Sequence, residues 1–444
     1  QIINVLYNMV DRMYIGHLPD IGANALTGVG VTFPAITAIS AFAALVSMGG
    51  APRASIMLGR GDKDTAERIL GNCTTALLIA AFLLTAVFLI YGKRILLMFG
   101  ASRATIEYGW SYMRIYSLGT VFVQLSLGLN AFINTQGYAR TGMLSVLIGA
   151  VCNIILDPLL MFGLHMGVQG AALATIISQG ISAAWVVLFL TSDRSYLNIK
   201  RRYMKPRWDI LAPALALGAA PFVMQSTESI LNICFNTSLL KYGGDLAVGA
   251  MTIQGSVMQF SMFPLQGMTQ GAQPIVSFNY GAGNIERVSA AFRTLLRACL
   301  VYSALIWAFC MFTPMLFITI FTKDAALTEY CVRSIRVYMA ASLIFGAQIA
   351  CQQTFIALGN SRTSLFLALL RKVFLLIPLI YILPNIFEDK VFAVLLAEPI
   401  ADTIAVCTTV TMFYLSFRKL KREILLSRVL RNAARENRDE SAQK

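Results

Sequence analysis

Between its clusters of charge, the chain carries apolar runs longer than a bilayer needs, and these limit what it can fold into. A helix of about 20 apolar residues crosses the hydrocarbon core. Twelve such runs are predicted as spans, near 1–17, 25–50, 69–91, 110–135, 139–163, 170–192, 210–237, 246–278, 290–320, 333–358, 363–386 and 391–417. The 444 residues are 57% hydrophobic and 13% charged, with a mean hydropathy of +0.67, whereas soluble domains carry about 25% charged residues. Barrel strands would be alternating segments of about 10 residues, and these runs are longer and do not alternate. The sequence therefore predicts an all-α polytopic membrane protein. It starts at Gln1 inside an apolar run, so a natural N-terminal stretch is expected to be missing.

The formal charge of +14 suits topology better than nucleic acid. Alternate loops collect Arg53, Arg60, Lys63 and Arg68, then Arg140, then six basic residues between Arg194 and Arg207, then Arg287, Arg293, Arg297, Arg362 and the basic tail after Phe417. The opposite loops hold about nine, from Lys93 to Lys390. The positive-inside rule places both termini in the cytoplasm, and the basic tail 418–444 near anionic headgroups. The expected location is the bacterial inner membrane, with lipids as partners, no nucleic acid, and the chain working as a monomer.

Slid along itself by half its length, the chain aligns with itself without gaps (offset 222). Glu107, Tyr108, Arg114 and Tyr116 recur as Glu329, Tyr330, Arg336 and Tyr338; Gly137, Arg140 and Thr141 recur as Gly359, Arg362 and Thr363. Pro52, Ser55, Gly59 and Gly61 recur as Pro274, Ser277, Gly281 and Gly283. Each half holds six spans. Six is even, so the halves are parallel repeats, two six-helix lobes around a central cavity that open alternately by rocking. The predicted divisions are an N-lobe over 1–192, a basic cytoplasmic linker over 193–209, a C-lobe over 210–417 and the tail.

No GxxxxGK[ST] loop, CxxC pair or Ser-His-Asp set occurs, and neither His17 nor His165 falls in the membrane core. No cofactor is expected and no enzyme. A channel would need a filter-like motif, which is missing. A secondary transporter driven by an ion gradient is what the chain fits.

The stretches NVLYNMVDRMYIGHL (4–18), ALTGVGVTFP (25–34), QGYARTG (136–142), NIILDPLLMFG (153–163) and GAQPIVSFNYGAGN (271–284) together resemble the multidrug and toxic compound extrusion (MATE) family, specifically its bacterial branch with an Asp on the first span. The resemblance runs over essentially the whole chain. It implies export of cationic, amphipathic compounds in exchange for H+ or Na+. It also implies an N-lobe cation site at Asp11, Asn153, Asp157 and Thr175, which would hold the metal if the coupling ion is sodium. Glu228 matches a span-seven Glu that other members use.

The chemistry of these residues agrees. Asn153 and Asp157 lie one turn apart on one helix face, and Pro158 removes the partner of the Ile154 carbonyl. These oxygens suit a hard cation. Asn4, Asn8 and Asp11 form a second stripe, and two desolvated carboxylates sharing one pocket hold a proton near neutral pH. The half-length counterparts of Asp11, Asn153 and Asp157 are Ile233, Leu375 and Leu379, so the scaffold itself does not require these polar groups. In the C-lobe, Glu228, Asn232, Gln259 and Glu398 are candidates for substrate or a second cation, with Gln259 and Gln270 facing a wet cavity. Against that stands internal pairing of Glu228, Glu398 and Asp402 with Arg371 and Lys372. A lipid-linked oligosaccharide flippase is the rival function. It would favour a basic cavity, and the acids here argue for cationic substrates.

Overall fold

The computed structural model describes residues 14–15, 22–103, 105–321 and 325–442. The predicted first span lies outside these residues except for Tyr14 and Ile15. The described residues are helical almost throughout, because hydrocarbon leaves backbone N–H and C=O groups no other partner than their own helix. Span two joins Gly22–Gly30 to Phe33–Gly59, and span three is Lys63–Met98. Span three starts where the Asp62 carboxylate accepts the Thr65 N–H at 2.9 Å, an N-cap that satisfies one orphan donor. Span five is Ala139–Pro158, continued by a π-helix at Leu159–Gly163, and span six is Gly167–Thr191. Spans seven and eight run through Trp208–Gly281 and are divided at Gly244, whose φ of 64° breaks the helix. Span nine is Ile285–Phe312, and span eleven is Ser361–Ile382 with a π-helix at Leu370–Leu376. Span twelve is Lys390–Ala442, so the basic tail prolongs a helix.

The half-length repeat is written into the backbone. Span four bends by 58° between Ile106–Leu118 and Thr120–Thr135; span ten bends by 49° between Leu327–Tyr338 and Ser342–Ala357. The first break falls at Gly119, and the second includes its repeat counterpart, Ala341. Gly61 and Gly283 share left-handed φ values of 80° and 72°, and Gly137 and Gly359 share 89° and 79°, conformations that glycine adopts at no steric cost. The chain thus forms two lobes of like build, and it is a multi-pass membrane protein.

Each lobe has its own apolar core, one around Ile39, Met113 and Met161, another around Phe235, Ile335 and Ile380. The lobes meet toward the end that carries the basic loops. There Ser55 donates to the Pro274 carbonyl at 3.2 Å, and deeper along the same spans the Phe42 and Phe222 rings stand edge-on at 5.2 Å. Leu197, Ile210 and Ala214 join the core of spans two, three and four. The segment 193–209 is held against span three. Asn72 Nδ2 donates to the Tyr203 carbonyl at 3.1 Å, its Oδ1 accepts the Arg207 N–H at 2.6 Å, and Thr75 donates to the Met204 carbonyl at 2.6 Å. Lys200 pairs at 2.5 Å with Glu67, which is buried.

Candidate functional site

Span five presents Ser145, Gly149, Asn153 and Asp157 at intervals of four, so they follow one helical stripe. The helix does not stop at Pro158. A π-helix, Leu159–Gly163, follows it directly, a local geometry common at functional sites. Asn153 and Asp157 are 2% and 0% exposed, and the Asn153 amide donates to Asp157 Oδ1 at 3.0 Å. Spacing alone predicts that they share a face. The structure adds that the amide nitrogen is committed to the carboxylate. Asn153 Oδ1 is then turned away, buried and without a hydrogen-bond partner among the described residues.

Thr175 on span six is 6% exposed and donates to the Ala171 carbonyl at 3.0 Å, leaving its oxygen as an acceptor. Asn153 and Thr175 both line one cavity of about 530 Å3. Asp157 sits one turn behind it. Asp11 lies outside the described residues. Tyr14, three residues later in sequence, packs its ring 6.2 Å from Phe162 in the π-helix, and Ile15 is fully buried. Among the described residues no group of three His, Cys, Asp or Glu could hold a metal ion.

The cavity lies chiefly inside the N-lobe. Its walls come from spans two, four, five and six, while Gln225, Gln270 and Gln273 of the C-lobe close one side. The side chains lining it are uncharged: hydroxyls, amides, methionines and small apolar groups. Asn130 Nδ2 donates to the Gly142 carbonyl at 2.8 Å and to Ser145 Oγ at 2.5 Å; Ser126 donates to Gln179 Oε1 at 2.6 Å; Ser182 donates to the Ser145 carbonyl at 2.8 Å. No charged residue marks this set in the sequence. Their spacing does mark it, because Ser126, Asn130 and Asn134 repeat every four residues on span four, as do Thr175 and Gln179, and Ser178 and Ser182, on span six. Gln270 lines the cavity, whereas Gln259, expected to face a wet cavity as well, is not among the residues that line it.

The C-lobe candidates divide differently. Adjacent residues on a helix point about 100° apart, so Arg371 and Lys372 reach different spans. Arg371 donates to Asp402 Oδ1 at 2.5 Å and to Glu398 Oε1 at 3.0 Å on span twelve, with its guanidinium 4.5 Å from the Phe345 ring centre. Lys372 pairs with Glu228 on span seven. Arg371, Lys372, Glu398 and Asp402 are all buried, and such pairing lowers the cost of keeping charge in a membrane. Asn232 and Gln259 are exposed.

A family model described as MatE matches residues 1–159 and 221–382, more than half of the chain. Multidrug export protein MepA of Staphylococcus haemolyticus is 24% identical over 418 residues, covering 93% of this chain and 89% of that protein. MepA of Staphylococcus aureus strain N315 is 23% identical over 403 residues, covering 89% and 87%. A solved structure described as MATE multidrug transporter DinF-BH is 30% identical, covers 93% of this chain and 92% of that one, and superposes with a TM-score of 0.85. Another, described as MATE in the bent conformation, shares the fold at 22% identity and a TM-score of 0.89, covering 95% and 93%.

Proposed function

The chain belongs to the MatE family, whose members are transporters and not enzymes, and we propose that it exports cationic, amphipathic compounds across the cell membrane in exchange for H+ or Na+. One observation carries this reading. A carboxylate buried in the membrane, Asp157, is hydrogen-bonded to Asn153, and Asn153 opens onto the cavity that Thr175 shares. An intramembrane carboxylate that communicates with a water-accessible cavity is a site for a coupling cation.

In this mechanism the coupling cation enters from the outside and reaches Asp157. A proton is accepted by the carboxylate itself. A sodium ion is held by the carboxylate, Asn153 Oδ1 and the Thr175 hydroxyl oxygen, with Asp11 as the second carboxylate. Neutralising Asp157 changes what Asn153 donates to and how span five packs beside the π-helix, and the substrate leaves the polar cavity outward. The positive-inside rule makes the basic loops cytoplasmic. The lobes meet near those loops, so this arrangement is read as the state closed to the cytoplasm. One charge moving through 100 mV supplies ~2.3 kcal/mol and a tenfold proton gradient ~1.4 kcal/mol. Together these sustain an export gradient of roughly a few hundredfold for a neutral substrate.

The test is ethidium efflux from proteoliposomes under imposed pH or sodium gradients. The wild type responds to one of the two gradients and Asp157→Asn does not. Undiminished gradient-driven efflux by Asp157→Asn removes Asp157 from the coupling role.

A further inference from the structure

The coupling mechanism above leaves the C-lobe charges without a task. Three carboxylates face two cations there, and Arg371 is taken up by Glu398 and Asp402. Glu228 is paired with Lys372 alone among the described residues. The two partners differ in environment: the Lys372 side chain is 8% exposed and that of Glu228 60% exposed. Gln225, three residues before Glu228 and on the same face of span seven, lines the cavity that the two lobes share. Phe222, one turn earlier, meets Phe42 of the other lobe. The Glu228 carboxylate therefore looks into the cleft between the lobes, and Lys372 reaches it from inside the C-lobe.

We propose that Lys372 is a built-in counter-cation, which competes with cationic substrates for Glu228 and so makes this pair a determinant of specificity. An ammonium on a four-carbon stem is a mobile point charge with three donors. Here it has a second anchor at the Met224 carbonyl, 3.3 Å away. A substrate cation in the cleft displaces it from the carboxylate, and Lys372 keeps that backbone partner. An uncharged compound gains nothing from the exchange. The pair thereby sets a threshold of charge for occupation of the cleft. This inference rests on the export of cationic compounds proposed above.

The experiment is equilibrium binding of ethidium, followed by fluorescence anisotropy, to the purified full chain in detergent. Lys372→Met frees Glu228 and is expected to tighten binding about tenfold. The gain should vanish in Lys372→Met with Glu228→Gln, and Lys372→Arg should stay near the wild type. Glu228→Gln alone leaves an ammonium facing the cleft and should weaken binding several-fold. Unchanged or weaker binding by a folded Lys372→Met overturns the proposal, as does an equal gain in the Glu228→Gln background. Should Lys372→Met not fold, Glu228→Gln decides: weaker binding supports the proposal, and unchanged or tighter binding overturns it. A wild type that binds no ethidium sinks the export reading and this inference together, whereas a wild type that binds with Lys372→Met unaltered sinks only this one.

Discussion

Gly59 and Gly281 occupy each other's counterpart in the repeat, and each lies against the helix that bears the other. A Cβ on Gly59 would stand 2.0 Å from the Phe278 carbonyl oxygen, and a Cβ on Gly281 would stand 2.0 Å from that of Ile56. Phe278 is the half-length counterpart of Ile56, so the crossing of spans two and eight is two-fold in pattern. Small residues let helix backbones approach this closely in a membrane. Gly59→Ala and Gly281→Ala should each wedge the lobes apart at the basic end and lower ethidium efflux at least about tenfold with insertion retained, since atoms at that separation cannot coexist. Gly255→Ala, where a Cβ meets nothing within 4 Å, should transport normally. Equal efflux by all three would show that closure at this crossing is not needed for transport.

The buried couple of Asn153 and Asp157 predicts a non-additive stability pattern. Asp157→Leu leaves the Asn153 amide buried without its acceptor, at a cost of about 1–3 kcal/mol. Replacing both by Leu, as the repeat already has at Leu375 and Leu379, removes that orphan. The double variant should melt above Asp157→Leu in detergent while remaining unable to couple efflux to a gradient. A double variant less stable than the single would mean that the pair holds span five together.

The segment between the lobes should loosen when Asn72 is removed. Its side chain satisfies the Tyr203 carbonyl and the Arg207 N–H, and it also donates to the Arg68 carbonyl at 3.0 Å. Asn72→Ala should lower stability by about 1–3 kcal/mol. It should also speed tryptic cleavage between Lys200 and Arg207 several-fold. Cleavage at the wild-type rate would show that Lys200–Glu67 and Thr75–Met204 suffice to hold the segment.

At the start of span three, the hydrogen bond from Thr65 holds the Asp62 carboxyl below its ordinary value. A carboxyl whose folded-state value is depressed contributes its stabilisation above the unfolded value and loses it as pH falls through the folded one. Asp62→Ala should therefore cost about 1 kcal/mol at neutral pH, and the deficit should disappear in strong acid. Asp62→Asn should keep the cap and show no such pH dependence. Melting temperatures of the three proteins across that range provide the measurement.

Hydrophobic runs alone required a membrane protein, because apolar helices of this length have no other favourable solvent. A constant offset of half the chain required two like lobes, and it located the paired glycines at 59 and 281 without naming their contact. The four-residue spacing of Asn153 and Asp157 also predicted their shared face, since one helical turn is a local property. What a helix touches depends on its rotation and tilt among its neighbours, and sequence spacing does not carry that. Only the tertiary structure decided that Lys372 turns to Glu228 while its neighbour Arg371 turns to Glu398 and Asp402. It also decided that the cavity lies mainly inside the N-lobe among uncharged hydroxyls and amides, and that the lobes close at the basic end. These outcomes come from packing between separate spans, where side-chain shape and burial select one arrangement from many that satisfy the same local pattern.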